Sequence, residues 1–331
     1  MSAHQKPGGI VSRNLTRGST CGLLFLSILW ALDTLQPDLL PSIRSLSGRS
    51  LAADSIPFLL LAFIGATIAR INRAEWPSGP QLWKAVFVGF GIFIAPALLV
   101  RASDEEAPTF TRTVLFAMTP IFATALEPYI GTASGSESAQ PVRGALIAAL
   151  LAVVGSLLVF PFAVPAALPS VWGMALATTA VFLVAACNCF ACRIARTGMQ
   201  HLAPFTAIAG AGTAAGFLAF SAVIEGPKAL AHSLIAETRS VDLLWITAIE
   251  LPALLLLFWL LPRMSATRMT VRYLLAPLFT ILIGACLLES INQIRLHTWL
   301  GLALMACGSG WLILGPEESI TTTLDLNLNS D

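Results

Sequence analysis

Ten long apolar stretches follow one another along this chain, near 22–41, 55–72, 82–101, 110–130, 142–163, 169–192, 202–224, 241–261, 271–290 and 297–315. Each is close to the ~20 mostly apolar residues that an α-helix needs to cross the hydrocarbon layer of a membrane. The pieces between them are too short to hold a water-soluble domain, so the stretches have to pack against one another in lipid. Composition agrees. Hydrophobic residues make up 56% of the 331 and charged residues only 11%, with a mean hydropathy of +0.80; soluble domains carry roughly a quarter charged residues. The 20 prolines and 24 glycines fit closely packed, bent helices, which membranes tolerate better than water does.

These features exclude several classes. Nineteen Lys and Arg against 18 Asp and Glu give a net charge of +1, which leaves no basic face for nucleic acid. The six cysteines lie mostly inside apolar runs, unlike the framework of a secreted disulfide-rich domain. The basic start (Lys6, Arg13, Arg17) ahead of a leucine-rich run resembles a signal peptide. No small-residue cleavage site follows it, so a retained first helix is expected. Residues 1–20 and 316–331 read as polar, disordered tails, 131–141 as a flexible loop and 160–170 as a tight proline-rich connection. With the N-terminus in the cytoplasm, the larger share of Lys and Arg, including Arg193, Arg196, Arg263, Arg268 and Arg272, falls on the cytoplasmic side. Both termini are then expected inside.

The chain also matches itself. Setting Pro120 on Pro277 places Thr113-Val114 on Thr270-Val271, Pro120-Ile121-Phe122 on Pro277-Leu278-Phe279 and Gly144 on Gly301, without a gap. The copies are five helices apart, and an odd offset inserts them with opposite orientation. The expected fold is an all-α polytopic membrane protein of about ten transmembrane helices, built as two inverted five-helix repeats over 21–163 and 164–315. Two such halves can exchange conformations and open a central site first to one side and then to the other.

An ionisable side chain in mid-membrane costs about 2.5–3.5 kcal/mol on insertion scales, so Asp33 and Glu250 stand out. Each is expected ~12 Å below the same outer surface at 1.5 Å per residue. In the first helix Ser27, Trp30, Asp33, Thr34, Pro37 and Asp38 share one stripe at helical spacing. Thr247 lies one turn before Glu250, and Pro252 follows, freeing a backbone carbonyl beside the carboxylate. Two readings stand for both acids: a proton-carrying or solute-pairing role, or a structural hydrogen bond or wet helix end. Asn188 is a candidate polar contact, across helices or to solute. Glu127, beside Pro128 and Tyr129, reads as structural near the cytoplasmic interface. Cys187, Cys189 and Cys192 read as small apolar residues, since no nearby His completes a tetrahedral set. The GxxxG pattern Gly212–Gly216 reads as a close helix contact, while Gly89, Gly91 and Pro96 interrupt the third helix where transporters often bind solute.

The chain resembles the drug/metabolite transporter superfamily, of the EamA-domain type. The likeness is carried by Leu29-Trp30-Ala31, by Pro120-Ile121-Phe122 within 117–122, by Ala276-Pro277-Leu278-Phe279, by Leu288-Glu289, and by Trp299-Leu300-Gly301-Leu302-Ala303-Leu304 with Gly308. Leu126-Glu127-Pro128 and Asp33 depart from the family pattern. The resemblance implies ten helices, both termini cytoplasmic, and a solute cavity between the halves lined by helices 1, 3, 4, 6, 8 and 9, with helices 5 and 10 as support.

The expected function is a secondary transporter moving a small organic metabolite or drug-like solute by alternating access. Its substrate-binding or coupling residues would be Trp30, Asp33, Thr34, Asn188, Thr247 and Glu250, with proton coupling through Asp33 and Glu250. No GxxxxGK[ST] loop is present, which disfavours nucleotide hydrolysis. Acidic residues with no mid-membrane Lys or Arg lean towards zwitterionic, cationic or neutral amphipathic solutes. The alternative is a membrane-embedded hydrolase or lipid-group transferase using the carboxylates, although H-E-x-x-H and Gly-x-Gly-Asp motifs are absent. No cofactor, metal site or catalytic residue is assigned. The expected partners are a small solute and membrane lipid, in a bacterial inner (plasma) membrane.

Overall fold

The structure, a computed structural model, describes residues 8–39, 51–103, 109–130, 142–159, 170–197, 202–228, 245–287 and 295–315. The loop at 131–141, the connection at 160–169, the acids at 104–106, Leu288-Glu289 and the tail at 316–331 lie outside the described residues. Within them the chain is helical, with no strand. In chain order the helices are α1 (Gly8–Leu39), α2 (Leu51–Ile71), α3 (Pro80–Gly89, Phe90–Ile94 and Ala95–Ala102) and α4 (Thr109–Ala117 and Thr119–Ile130). They continue with α5 (Val142–Val159), α6 (Val171–Thr197), α7 (Leu202–Ile224), α8 (Ile246–Glu250 and Leu251–Leu260), α9 (Ala266–Thr270 and Arg272–Leu287) and α10 (Leu296–Leu314). Eight of them are long and apolar enough to cross a membrane, and α5 and α8 contribute the shorter apolar helices Gly144–Val159 and Ile246–Leu260. Together they mark an integral membrane protein.

α1 starts at Gly8, inside the stretch 1–20 that reads as a disordered tail. Once the apolar part of α1 is nucleated, each added residue gains a hydrogen bond and fixes only itself, so the helix extends outwards into polar sequence.

Glycine sets the closest helix pairs. α5 packs along α10, and α2 along α7, more extensively than any other two elements. A Cβ on Gly155 would come within 2.6 Å of the Gly301 carbonyl oxygen, and one on Gly308 within 2.5 Å of the Ala148 oxygen. Late α5 therefore meets early α10 and early α5 meets late α10, so the pair runs antiparallel with backbones in contact. The same holds for α2 and α7: a Cβ on Gly65 would meet Ala207 N at 2.9 Å, and one on Gly210 the Phe58 oxygen at 3.0 Å. The GxxxG pair faces α3, Gly212 on Val86 and Gly216 on Ile94, and Gly91 of α3 faces Cys187 of α6. The outward faces carry the apolar side chains that lipid requires, among them Phe63, Trp83, Trp172 and Trp311.

α3 and α8 share an irregularity. Each contains one π-helical turn, Phe90–Ile94 and Ile246–Glu250. At its end Ala95 N–H bonds to the Phe90 oxygen, and Leu251 N–H to the Ile246 oxygen, five residues back. Pro96 and Pro252 follow directly. A proline has no N–H to return to the fourth residue back and its ring crowds that carbonyl, so the preceding turn widens. α4 and α9 are interrupted as well, at Met118 and at Val271.

Polar side chains close the helix ends. Glu127 of α4 accepts from Ala266 N (2.9 Å), Thr267 N (3.0 Å) and Thr267 Oγ1 (2.7 Å) at the start of α9, where the free N–H groups of a helix favour an anion. Glu225, just past α7, accepts from Leu51 N at the start of α2 (3.0 Å) and from Ser221 Oγ (2.7 Å). Arg101 lies within 3.2 Å of Asp54 and 3.8 Å of Glu225. Arginines supply donors to helix C-termini: Arg193 to the Ile130 oxygen (2.9 Å), Arg268 to the Gly315 oxygen (2.7 Å) and Arg112 to the Val100 oxygen (3.3 Å).

Candidate functional site

The most polar point of the interior is Arg272. Its side chain is fully buried, at 0% exposure, and at ~1.5 Å per residue it lies ~9 Å along α9 from Ala266. The sequence reading placed this residue among the cytoplasmic charges and saw no Lys or Arg in mid-membrane. The structure sets its side chain inside the protein, within the apolar span Ala266–Leu287. α9 continues through its break at Val271 and carries the guanidinium inwards.

The guanidinium lies beside two aromatic rings, its Cζ 5.0 Å from the centre of Trp30 and 4.9 Å from that of Tyr273. The Trp30 and Tyr273 rings are 5.8 Å apart, and Phe116 of α4 is 6.0 Å from Tyr273. A desolvated cation over an aromatic face gains about 2 kcal/mol or more, which offsets part of the ~2.5–3.5 kcal/mol cost of an arginine in mid-membrane. Nη2 donates to Asn188 Oδ1 (2.9 Å) and to Tyr273 OH (3.2 Å), and Nη1 to the Met269 oxygen (3.3 Å). Asn188, also at 0% exposure, is fixed by its own amide, which donates to the Val184 oxygen at 2.7 Å. Among the described residues the Arg272 Nε–H has no acceptor. Among the described residues no carboxylate pairs with this charge.

The expected site residues divide into two groups. Trp30 and Asn188 meet at Arg272. Asp33, half-buried one turn beyond Trp30, accepts from the indole Nε1 of Trp245 at 3.0 Å. Trp245 immediately precedes the π-turn that contains Thr247 and Glu250, and α1 packs against that turn. The bond therefore ties α1 to α8. Thr247 is exposed and Glu250 half-buried, and each of them has a partner. Thr34 is exposed and returns its hydroxyl to the Trp30 oxygen at 2.9 Å. Pro37 and Asp38 lie outside the described side chains. Ser27 is buried and bonds to the Leu23 oxygen at 2.8 Å. Leu29 and Leu35, on the other side of α1, are buried too, while Cys21, Phe25 and Thr34 are exposed.

Sequence reasoning missed Arg272, Tyr273, Phe116 and Trp245. The available signal was an Arg-Tyr pair inside an apolar run rather than ahead of it, in a chain where every buried charge needs a partner. The cysteines follow the apolar reading: Cys187, Cys189 and Cys192 are buried, and the Cys189 thiol points to the Ala123 oxygen at 3.8 Å. Glu127 is structural, as its α9 contacts show. In the turn after α8, Arg263 lies over the Trp259 ring at 4.2 Å, and desolvation lowers its pKa from the ordinary arginine value.

A cavity of about 600 Å³ opens elsewhere, between the end of α2, the start of α7 and the end of α8, lined by Ile68, Arg73, Glu75, Leu202, Phe258 and Trp259 among others. None of the expected site residues borders it. Its walls are mainly apolar and hold no buried charge.

No protein-family model and no curated protein matches the chain. A solved structure described only as "Crystal structure of protein" is similar to it, with a TM-score of 0.62 at 14% identity. The match covers 90% of this chain and 98% of the other. At that identity the likeness concerns the fold alone.

Proposed function

We propose that this chain is a secondary transporter of the drug/metabolite type, with ten spans in two inverted five-helix halves that alternate access to a central site. The observation that carries the reading is the convergence at Arg272. α1 supplies Trp30 and α4 supplies Phe116 from the first half; α6 supplies Asn188 and α9 supplies Arg272 and Tyr273 from the second. A charged, aromatic centre where two halves meet suits a solute handled by both.

Inversion is supported by the helix ends. Under exchange of each helix with the one five places on, α2 pairs with α7 and α5 with α10, and both pairs run antiparallel. The end of α4 meets the start of α9 through Glu127, and the end of α7 meets the start of α2 through Glu225. The packing of α1 on α9 corresponds to that of α6 on α4. The π-turn before Pro96 in α3 corresponds to the one before Pro252 in α8. Both halves thus carry a soft turn in the same element, next to a helix of the central group.

Trp30, Asp33, Thr34, Asn188, Thr247 and Glu250 remain the proposed substrate-binding or coupling set, with Asp33 and Glu250 as the proton-coupling candidates. A hydrated carboxylate at the Trp245 contact would release the α1–α8 tie on protonation, because the neutral acid is the weaker acceptor.

The test is reconstitution of the purified chain in liposomes. Flux of chemically unchanged solute, altered in its pH response by Asp33→Asn or Glu250→Gln, is the expected result. Solute conversion without flux would point to an enzyme. Wild-type flux and pH response in both variants would remove the two acids from the mechanism.

A further inference from the structure

Arg272 is buried with no carboxylate beside it among the described residues. A structural arginine in lipid pairs with a carboxylate or with backbone carbonyls, and of these only the carboxylate neutralises its charge. Here the acids are engaged elsewhere: Glu127 with the first turn of α9, and Asp33 with Trp245. Among the described residues the acceptors of Arg272 are neutral: a backbone carbonyl, an amide oxygen and a phenol. These bonds use three of the guanidinium's five N–H groups, and the Nε–H, at zero exposure, has no acceptor among the same residues. Charge and geometry are therefore incomplete in the same place.

The surroundings are prepared for a missing partner. Asn188 is fixed by its bond to Val184 and holds one edge of the guanidinium. Trp30 and Tyr273 lie against it, with ring centres about 5 Å away. Two helix breaks adjoin the cluster: Val271 immediately precedes Arg272, and Met118 follows Phe116 by two residues. Entry of a ligand would require movement at those breaks, where no continuous helix has to unfold.

Building on the transport reading, we propose that Arg272 is the anchor for the oxyanion of a small amphipathic organic acid, a carboxylate or an organic phosphate. Its negative group supplies the charge the protein omits, and its apolar body rests against Phe116 and Tyr273. This reverses the lean towards cationic solutes that the acidic residues alone suggested. The oxyanion could also come from a lipid headgroup, so the experiment separates the two sources.

The full chain is placed in nanodiscs of phosphatidylcholine, and its Tm is followed against benzoate, phenyl phosphate, benzamide and inorganic phosphate. Anything that binds the folded form preferentially raises apparent stability in a saturable way. Benzoate or phenyl phosphate should raise the Tm, and benzamide should not. Arg272→Gln should weaken the response about tenfold or more, and Arg272→Lys, which keeps charge but loses the planar fork, by less. Asn188→Asp guards against a variant that fails to fold: it gives Arg272 an internal carboxylate, so the ligand-free protein should become more stable and lose its response to anions. A response that survives Asn188→Asp, or benzamide acting as well as benzoate, would overturn the proposal. So would a gain seen only on adding phosphatidylglycerol, with no effect of the soluble acids, since a lipid would then be the occupant.

Flux in liposomes separates this inference from the reading beneath it. Arg272-dependent binding without flux keeps the anion site and removes transport. Flux of a solute unaffected by Arg272→Gln and Asn188→Asp keeps transport and removes the anion site.

Discussion

At the scale of single residues, two kinds of side chain decide how this protein stays together in lipid. Glycines let backbones touch, and a few polar groups close helix ends that have no water to turn to. Gly308→Leu should be strongly destabilising, by about 1–3 kcal/mol for overpacking, because even a Cβ there would press on the Ala148 oxygen and Ala152 N. Gly310→Ala, two residues on and with nothing within 4 Å of its Cβ, should be neutral or stabilising by up to ~1 kcal/mol. Denaturant unfolding in detergent compares the two directly. Glu127→Ala leaves three donors at the start of α9 without their acceptor and should cost about 1–2 kcal/mol in the same assay, with Glu127→Gln losing less. The structural role of Glu127 was legible in the sequence from its position beside Pro128 and Tyr129. Arg272 was not, because Arg263, Arg268 and Arg272 follow at short intervals and together look like a basic membrane rim. Only the course of α9 through Val271 shows that the last of them has entered the interior.

At the scale of elements, a hydrogen bond between side chains far apart in sequence, Trp245 to Asp33, links α1 to α8. Trp245→Phe removes the donor and should loosen α1 from α8, with a loss of about 1–3 kcal/mol when a charged acceptor is left behind. Asp33→Asn keeps an acceptor and should lose less. The double variant should lose little more than Trp245→Phe alone, and a double-mutant cycle on thermal unfolding reads that coupling. Additive losses would mean that the bond contributes nothing of its own. The widened turns in α3 and α8 were half legible. Pro96 and Pro252 announced an interruption, but not its form, since a proline alone permits either a kink or a π-turn. The extension of α1 back to Gly8 was hidden for a different reason: polar residues there carry no periodic signal, and the helix is inherited from its apolar continuation.

At the scale of the whole molecule, the apolar stretches made an all-helical membrane protein legible, since hydrocarbon admits few other ways to satisfy a backbone. The gapless match of Pro120 to Pro277 pointed to a repeat five helices apart, and the antiparallel pairs α2–α7 and α5–α10 accord with it. What a linear reading cannot supply is which polar groups from distant helices share one space; Trp30, Phe116, Asn188, Arg272 and Tyr273 come from four elements. The account depends on two halves inserted with opposite orientation around that space. Its most direct test is cysteine labelling in intact cells, with Cys21, Cys286 and Cys307, the exposed native cysteines, replaced by alanine. Single cysteines go at Ile71, at the end of α2 and 74% exposed, and at Val223, at the end of α7 and 82% exposed. A membrane-impermeant maleimide should label one of the two before permeabilisation and the other only after it. Labelling of both from the same side would contradict the inverted arrangement.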